Sequence, residues 1–141
     1  MERSNESWLD ERVQAAYAIA PVLGPALDAQ SLGGISIPVR IVVGDRDDQA
    51  LAKVNAVPIR ESIPDAELLL LPDVAHYTFL APCSLKGRLL VRELCKDPRG
   101  IDRHEVHQQV GADALVFFNR AFSDVGRADF GTDHAASMPA R

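Results

Sequence analysis

No apolar run in the 141 residues approaches the ~18–20 residues that a bilayer-spanning helix requires, so no membrane-spanning segment is expected. Basic residues are in the minority. There are 15 Lys and Arg against 20 Asp and Glu, a formal net charge of -5. No basic stripe offsets that balance, so neither nucleic acid nor an anionic membrane is the expected partner. Cysteine is scarce: Cys83 and Cys95 are the only two. They cannot make a disulfide scaffold, and no CxxC metal pair exists. They are either two buried thiols or one bridge, according to redox compartment. Met1 to Asp10 is polar and mixed in charge, without an apolar signal-peptide core, so no export address is expected in the chain as written. Internal repeats are absent as well.

What remains is ordinary globular composition. The chain is 47% hydrophobic and 25% charged, enough for a core of useful size, and its length suits one domain or part of a larger one. Residues 1–12 read as a polar lead-in. Val13 to Ala20 is mostly apolar and stops at Pro21; periodicity leaves strand and short helix both open. Ala26 to Leu32 suits a short helix ended by Gly33-Gly34. Pro38 to Val43 (PVRIVV) is the clearest strand, β-branched and closed by Gly44. Asp45 to Asp48 forms an acidic loop, from which Asp47 or Asp48 could cap a helix over roughly 49–63. Pro58 should kink or split that helix. Ala66 to Leu71 (AELLLL) reads as another short strand, closed by Pro72.

A loop with Asp73, His76 and Tyr77 follows. Ser84 could cap a helix to about Cys95, broken by Asp97 to Gly100. Asp102 with Glu105 has capping-box spacing and opens a helix to about Phe122. Val106, Val110, Leu115, Phe117, Phe118 and Phe122 are available for its buried stripe. Residues 123–141 turn Gly, Asp, Ser and Ala rich and are expected to be a mobile tail. The alternation of strand and helix predicts an α/β fold with a parallel sheet. In such sheets ligands bind at the carboxyl ends of the strands. Two polar clusters fall there: Gly44 to Asp48, and Asp73 to His76. Side by side, a carboxylate from one could fix the tautomer of the imidazole from the other and leave the second ring nitrogen free as a base.

The segment PVRIVVGDRDDQA, followed downstream by PDVAHYTFL, resembles the acid and histidine segments of α/β-hydrolases. AYAIAPVLGPALD resembles the strand that follows the nucleophile helix in that fold. AHYTFLAPC followed by LCKDPRGIDRHEVH is similar to the bacterial dienelactone-hydrolase-like branch. The resemblance covers Asp10 to Phe122. It implies a partial α/β-hydrolase fold over residues 13–122: the C-terminal part of the domain, with about three parallel strands and flanking helices. It assigns Asp47, three residues after Gly44, as triad acid, with Asp45 and Asp48 as flanking carboxylates and fallbacks, and His76 as triad histidine. Ala75 replaces the usual Gly before the histidine, and Pro58 is a further departure. The resemblance also implies that a cysteine pair like Cys83 and Cys95 occurs in related exported proteins, where a bond between the two is an open alternative to free thiols. The parent chemistry it implies is hydrolysis of esters, lactones or similar small carbonyl compounds, without cofactor or metal.

In that family the order is nucleophile, acid, histidine, with the nucleophile in Gly-x-Ser-x-Gly. Here no such pentapeptide exists. None of Ser4, Ser7, Ser31, Ser36, Ser62, Ser84, Ser123 and Ser137 has glycines at that spacing. The oxyanion-hole loop, which comes from an earlier strand, is missing too. Losing one triad member removes ~10⁴–10⁶ in rate, so the chain alone is expected to be inactive. A cysteine nucleophile is not expected, since neither Cys lies at a strand-to-helix elbow. A straight helix between the cysteines would span ~15 Å, against the ~4.4–6.8 Å that a bridge permits. A bridge therefore needs Cys83 to fold back or the helix to be shorter.

Other candidates have simpler readings. Asp45 to Asp48 lacks the Gly and distal Glu of a calcium loop. His104 and His107, with Glu105, are three apart rather than four and lack a third ligand, which suits a polar helix face. Trp8 and Tyr17 read as packing residues, Tyr77 and Phe79 mostly as core, and His134 falls in the tail. A half-sheet would leave strand 13–20 without its usual neighbour, which favours a homo-oligomer. Three functions stay open: a serine-hydrolase fragment, a non-catalytic binding or interaction module, and half of a site completed by a separate chain.

Overall fold

The computed structural model describes residues 10 and 12–128. Trp8, His134 and the expected tail beyond Ala128 lie outside the described residues. Strands β1 (Ala16–Ile19), β2 (Val39–Gly44) and β3 (Ala66–Leu71) form a three-stranded parallel sheet in the order β1-β2-β3. The helices are α1 (Ala29–Gly33), α2 (Ala56–Ser62), α3 (Leu85–Leu90) and α4 (Arg103–Ala128). Short 3-10 turns cover Gly24–Ala26, His76–Phe79 and Arg92–Cys95.

Side chains alternate across a strand, and here both faces are covered by helices. Val39, Ile41 and Val43 of β2, with Ala66 of β3, pack on Ala56 and Ile59 of α2 and on Ile63 just after it. On the other face Val42 and Leu71, with Val74, meet Val106 and Val110 of α4. Burial on both faces is why β2 is an unbroken apolar run after its arginine. The expected parallel α/β sheet is therefore present. The 13–20 run resolves as a strand, with β1 at one edge of the sheet.

One row across the sheet is polar. Parallel register aligns Tyr17 with Arg40, and Arg40 with Glu67, all on the α4 face. Arg40 is mostly buried, so its charge must be matched within the protein. Its Nε and Nη2 donate to Asp113 at 3.0 and 2.5 Å, and its Nη1 to Glu67 at 2.7 Å. The Tyr17 hydroxyl donates to Asp113 at 2.8 Å, and Arg120 pairs with Glu67 at 2.6 Å. The Arg40 guanidinium holds the Asp113 carboxyl below the usual carboxylate range. Burial, and then the neighbouring Asp113, push the Tyr17 phenol well above its ordinary value. This row ties all three strands to α4.

Several boundaries differ from the sequence expectation, each for a local reason. The helix expected over 49–63 is only Ala56–Ser62. Pro58 therefore sits in its first turn, where the missing N–H has no intrahelical acceptor to lose, and it neither kinks nor splits the helix. The first short helix begins three residues late, because Asp28 caps it by accepting from the Ser31 amide. Ser84 does cap α3, accepting from the Gly87 amide, but the helix stops at Leu90. Val91 then leaves helical geometry, with φ -129° and ψ 52°. That break lets the chain return, and Cys83 and Cys95 form a disulfide with a Cα separation of 5.7 Å.

In α4 the buried stripe is Arg103, Val106, Val110, Phe117 and Ala121. Leu115 and Phe122, also available for it, are 63% and 51% exposed. The helix continues to Ala128, so residues 123–128 are helical where a tail was expected to begin.

The Asp113 carboxyl has a folded pKa below its unfolded one. Its contribution is complete above the ordinary carboxylate range and is lost as pH falls through the depressed value. Asp113→Asn should therefore cost about 1 kcal/mol at neutral pH. Urea melts as a function of pH should show that difference from the wild type shrinking towards zero below pH about 4.

Candidate active site

The site begins with register. Gly44, the last residue of β2, lies opposite Leu71, the last residue of β3, so the two following loops leave the sheet at one level. They are then tied together. The Asp45 amide donates to Leu71 O at 2.9 Å and the Arg46 amide to Val74 O at 3.1 Å. The Asp45 carboxylate accepts from the Asp73 amide at 2.6 Å, and Arg46 pairs with Asp73 at 2.5 Å. Asp73 adopts left-handed backbone, φ 60°, a conformation Asp tolerates better than most residues. Gly44 makes the approach possible. A Cβ on it would lie 2.0 Å from Val74 O and 2.6 Å from Val74 C.

Between these ties sits Asp47, its side chain fully buried. A buried carboxylate requires donors, and three are supplied. Oδ1 accepts from the Gln49 amide at 3.0 Å and the Ala50 amide at 2.7 Å. Oδ2 lies 2.7 Å from Nδ1 of His76. Asp47 thus closes a local turn with one oxygen, although no helix starts there, and holds the histidine with the other. His76 opens the 3-10 turn His76–Phe79, and its side chain is 23% exposed. An ionised carboxylate only accepts, so in the neutral ring the favoured tautomer has its proton on Nδ1 and its lone pair on Nε2. No hydrogen-bond partner occupies Nε2 among the described residues. Tyr77 stands edge-on to the ring with centroids 5.5 Å apart, and its hydroxyl reaches Gln49 Oε1 at 3.3 Å.

The two residues singled out from the sequence, Asp47 and His76, are therefore brought into direct contact. Asp45 and Asp48 are not at the ring: Asp45 serves as a tie between loops, and Asp48 is solvent-exposed. His104 and His107 have separate partners. His104 Nε2 is 3.1 Å from the Gln108 amide nitrogen, and His107 Nε2 is 3.0 Å from Thr78 O.

Sequence reasoning missed Arg103, which is 6% exposed. Its guanidinium pairs with Asp97 at 3.0 Å and donates to Ala81 O at 3.2 Å and Leu94 O at 3.0 Å. A helix-spaced apolar pattern that includes position 103 was the available signal.

Two hollows lie away from the pair. One, of about 290 Å³, is apolar and lined by Tyr17, Ile19, Phe79, His107, Val110 and Ala114. The other, of about 180 Å³, lies at the opposite ends of β2 and β3, between Asp65, Glu67 and Arg120. No protein-family model matches the chain, and none of the curated proteins matches it as a relative. The site therefore has to be read from its own geometry.

Gly44→Ala should separate the two loops, since the nearest atoms are backbone and cannot swing aside. A loss of about 3 kcal/mol is expected, read as a lowered urea midpoint with unchanged m-value. A midpoint equal to that of the wild type would show that the loops do not depend on this contact.

Proposed function

We propose that this chain supplies the acid and the histidine of a serine-hydrolase site of the α/β-hydrolase type, similar to the dienelactone-hydrolase-like branch. The observation that carries the reading is the Asp47–His76 contact with Nε2 left open. In that role Nε2 takes the proton from a nucleophile hydroxyl as it attacks an ester or lactone carbonyl, and later returns it to the leaving group. Asp47 keeps the tautomer fixed and stabilises the imidazolium that forms.

The nucleophile would come from elsewhere, either from another segment of the same protein or from a second chain. Four of the serines have hydroxyls already engaged. Ser31 bonds to Asp28, Ser62 to Pro58 O, Ser84 to the Gly87 amide and Ser123 to Asn119 O. The outer edge of β1 has no strand beside it among the described residues, which supports a neighbouring strand as the missing element. Without that strand the same edge favours self-association into a homo-oligomer. A non-catalytic binding module is the second reading. It is favoured by the apolar hollow between Tyr17, Phe79 and Val110, which lies apart from Asp47 and His76.

A fluorophosphonate probe and sedimentation on the same preparations test this. The chain alone should remain unlabelled and sediment as an oligomer at tens of micromolar. Co-expression with a segment bearing Gly-x-Ser-x-Gly, sought first in the reading frame upstream of Met1, should restore labelling. That labelling should vanish in His76→Ala and slow by roughly 10⁴ in Asp47→Asn. Labelling that persists in His76→Ala would overturn the catalytic reading. Ligand binding at the pair or in either hollow, without turnover, would favour the module. A clean monomer would remove the self-association.

A further inference from the structure

The Asp47–His76 contact depends on where the histidine loop runs, and the end of β2 with the residues just after it holds the backbone of that loop upstream of His76. Val74 O accepts from the Arg46 amide and packs against Gly44. Downstream of His76 the chain leaves the sheet as a single 3-10 turn, which is weak on its own. Its carbonyls are gripped from α4 instead. His107 Nε2 lies 3.0 Å from Thr78 O. Arg103 Nη1 donates to Ala81 O at 3.2 Å and, at 3.5 Å, to Leu80 O. The carbonyls two, four and five positions after His76 therefore all find donors on one helix. Arg103 and His107 are four residues apart, hence on one face of α4. Val106 between them packs in the cluster that includes Val74 and, at its margin, Phe79.

The grip is built rather than incidental. Arg103 is almost wholly buried, and a buried guanidinium is costly unless its donors are met. Here Asp97 takes the charge, and the remaining donors are spent on Leu80, Ala81 and Leu94. Leu94 precedes Cys95, so the same side chain joins the segment that leads into Cys83 to the one that ends at Cys95. His107 faces a carbonyl, which only accepts, so its Nε2 carries the proton and the contact needs no charge on the ring.

We propose that Arg103 and His107 are positioning residues for His76: they clamp the backbone after the histidine and so hold its imidazole against Asp47. The proposal rests on the reading of Asp47 and His76 as a functional pair. In this role they act through the backbone after His76 rather than on the reacting atoms.

The test is proton NMR of the full chain, labelled with nitrogen-15, following the hydrogen-bonded Nδ1 proton of His76. That proton should appear far downfield in the wild type and vanish in His76→Gln. His107→Gln keeps an N–H donor for Thr78 O and should retain the signal with near wild-type solvent exchange. His107→Leu leaves that carbonyl unpaired, and Arg103→Lys loses the fork that spans Leu80, Ala81 and Leu94. Each should speed exchange of the His76 proton by roughly tenfold or more. Dichroism confirms that each variant is folded; if His107→Leu is not, Arg103→Lys decides alone. Unchanged exchange in the folded variants, with the wild-type signal present, would overturn the clamp and leave the pair intact. Equal loss in His107→Gln and His107→Leu would also overturn it. Absence of the downfield proton in the wild type would instead overturn the pair on which the clamp rests.

Discussion

The backbone of Gly44 lies so close to the Val74 carbonyl that no side chain fits between them, and most of the site is a consequence of that contact. Parallel register brings Gly44 and Leu71 level. The missing Cβ then lets the chain after β3 fold across the end of β2. Asp45 and Arg46 can reach Leu71, Asp73 and Val74 only because the loops are this close. Asp47 is buried beside that crossing, and its Oδ2 meets the ring of His76. The chemistry proposed for the pair is thus rooted in a backbone contact at the sheet end.

Among the described residues, Asp47, Arg40 and Arg103 are charged groups taken largely out of water, each with its partners supplied. Asp47 is met by two amides and an imidazole. Arg40 is met by Asp113 and Glu67, with Tyr17 and Arg120 completing the row. Arg103 is met by Asp97 and main-chain carbonyls. Two of the three lie along α4. One face of this helix therefore covers the sheet with Val106 and Val110, neutralises the polar row with Asp113, and holds the segment after His76 with Arg103 and His107. A helix with one such face couples the strands to the loop at their ends.

Much of this was legible from residues alone. β2 and β3 announce themselves as short apolar runs because parallel strands are covered on both sides. The clusters Gly44 to Asp48 and Asp73 to His76 stand out because polar groups at strand ends are where such sheets place ligands, while the choice of Asp47 and His76 within them came from the resemblance. Other features were hidden for physical reasons. The 3.6-residue period admits several stripes through 103–122, and Leu115 and Phe122 were as plausible as Ala121 until tertiary packing chose. Arg103 falls at a helix-spaced position of the buried stripe, but a charged side chain is expected outside until its partners are known. The row Tyr17, Arg40, Glu67 exists only once register aligns three distant segments. The break at Val91, and with it the cysteine bridge, depends on a single non-helical backbone pair that composition does not encode.

The central claim is that Asp47 and His76 act on each other, beyond each filling its own place in its own loop. A double-mutant cycle on stability separates these. Asp47→Ala also loses the bonds to Gln49 and Ala50, and His76→Ala loses packing on Tyr77, but both losses cancel in the cycle. Urea melts of the two single variants and the double variant should give a coupling energy of about 1–3 kcal/mol at neutral pH. Additivity within about 0.3 kcal/mol would mean that the two side chains are neighbours without interaction, and would contradict the account.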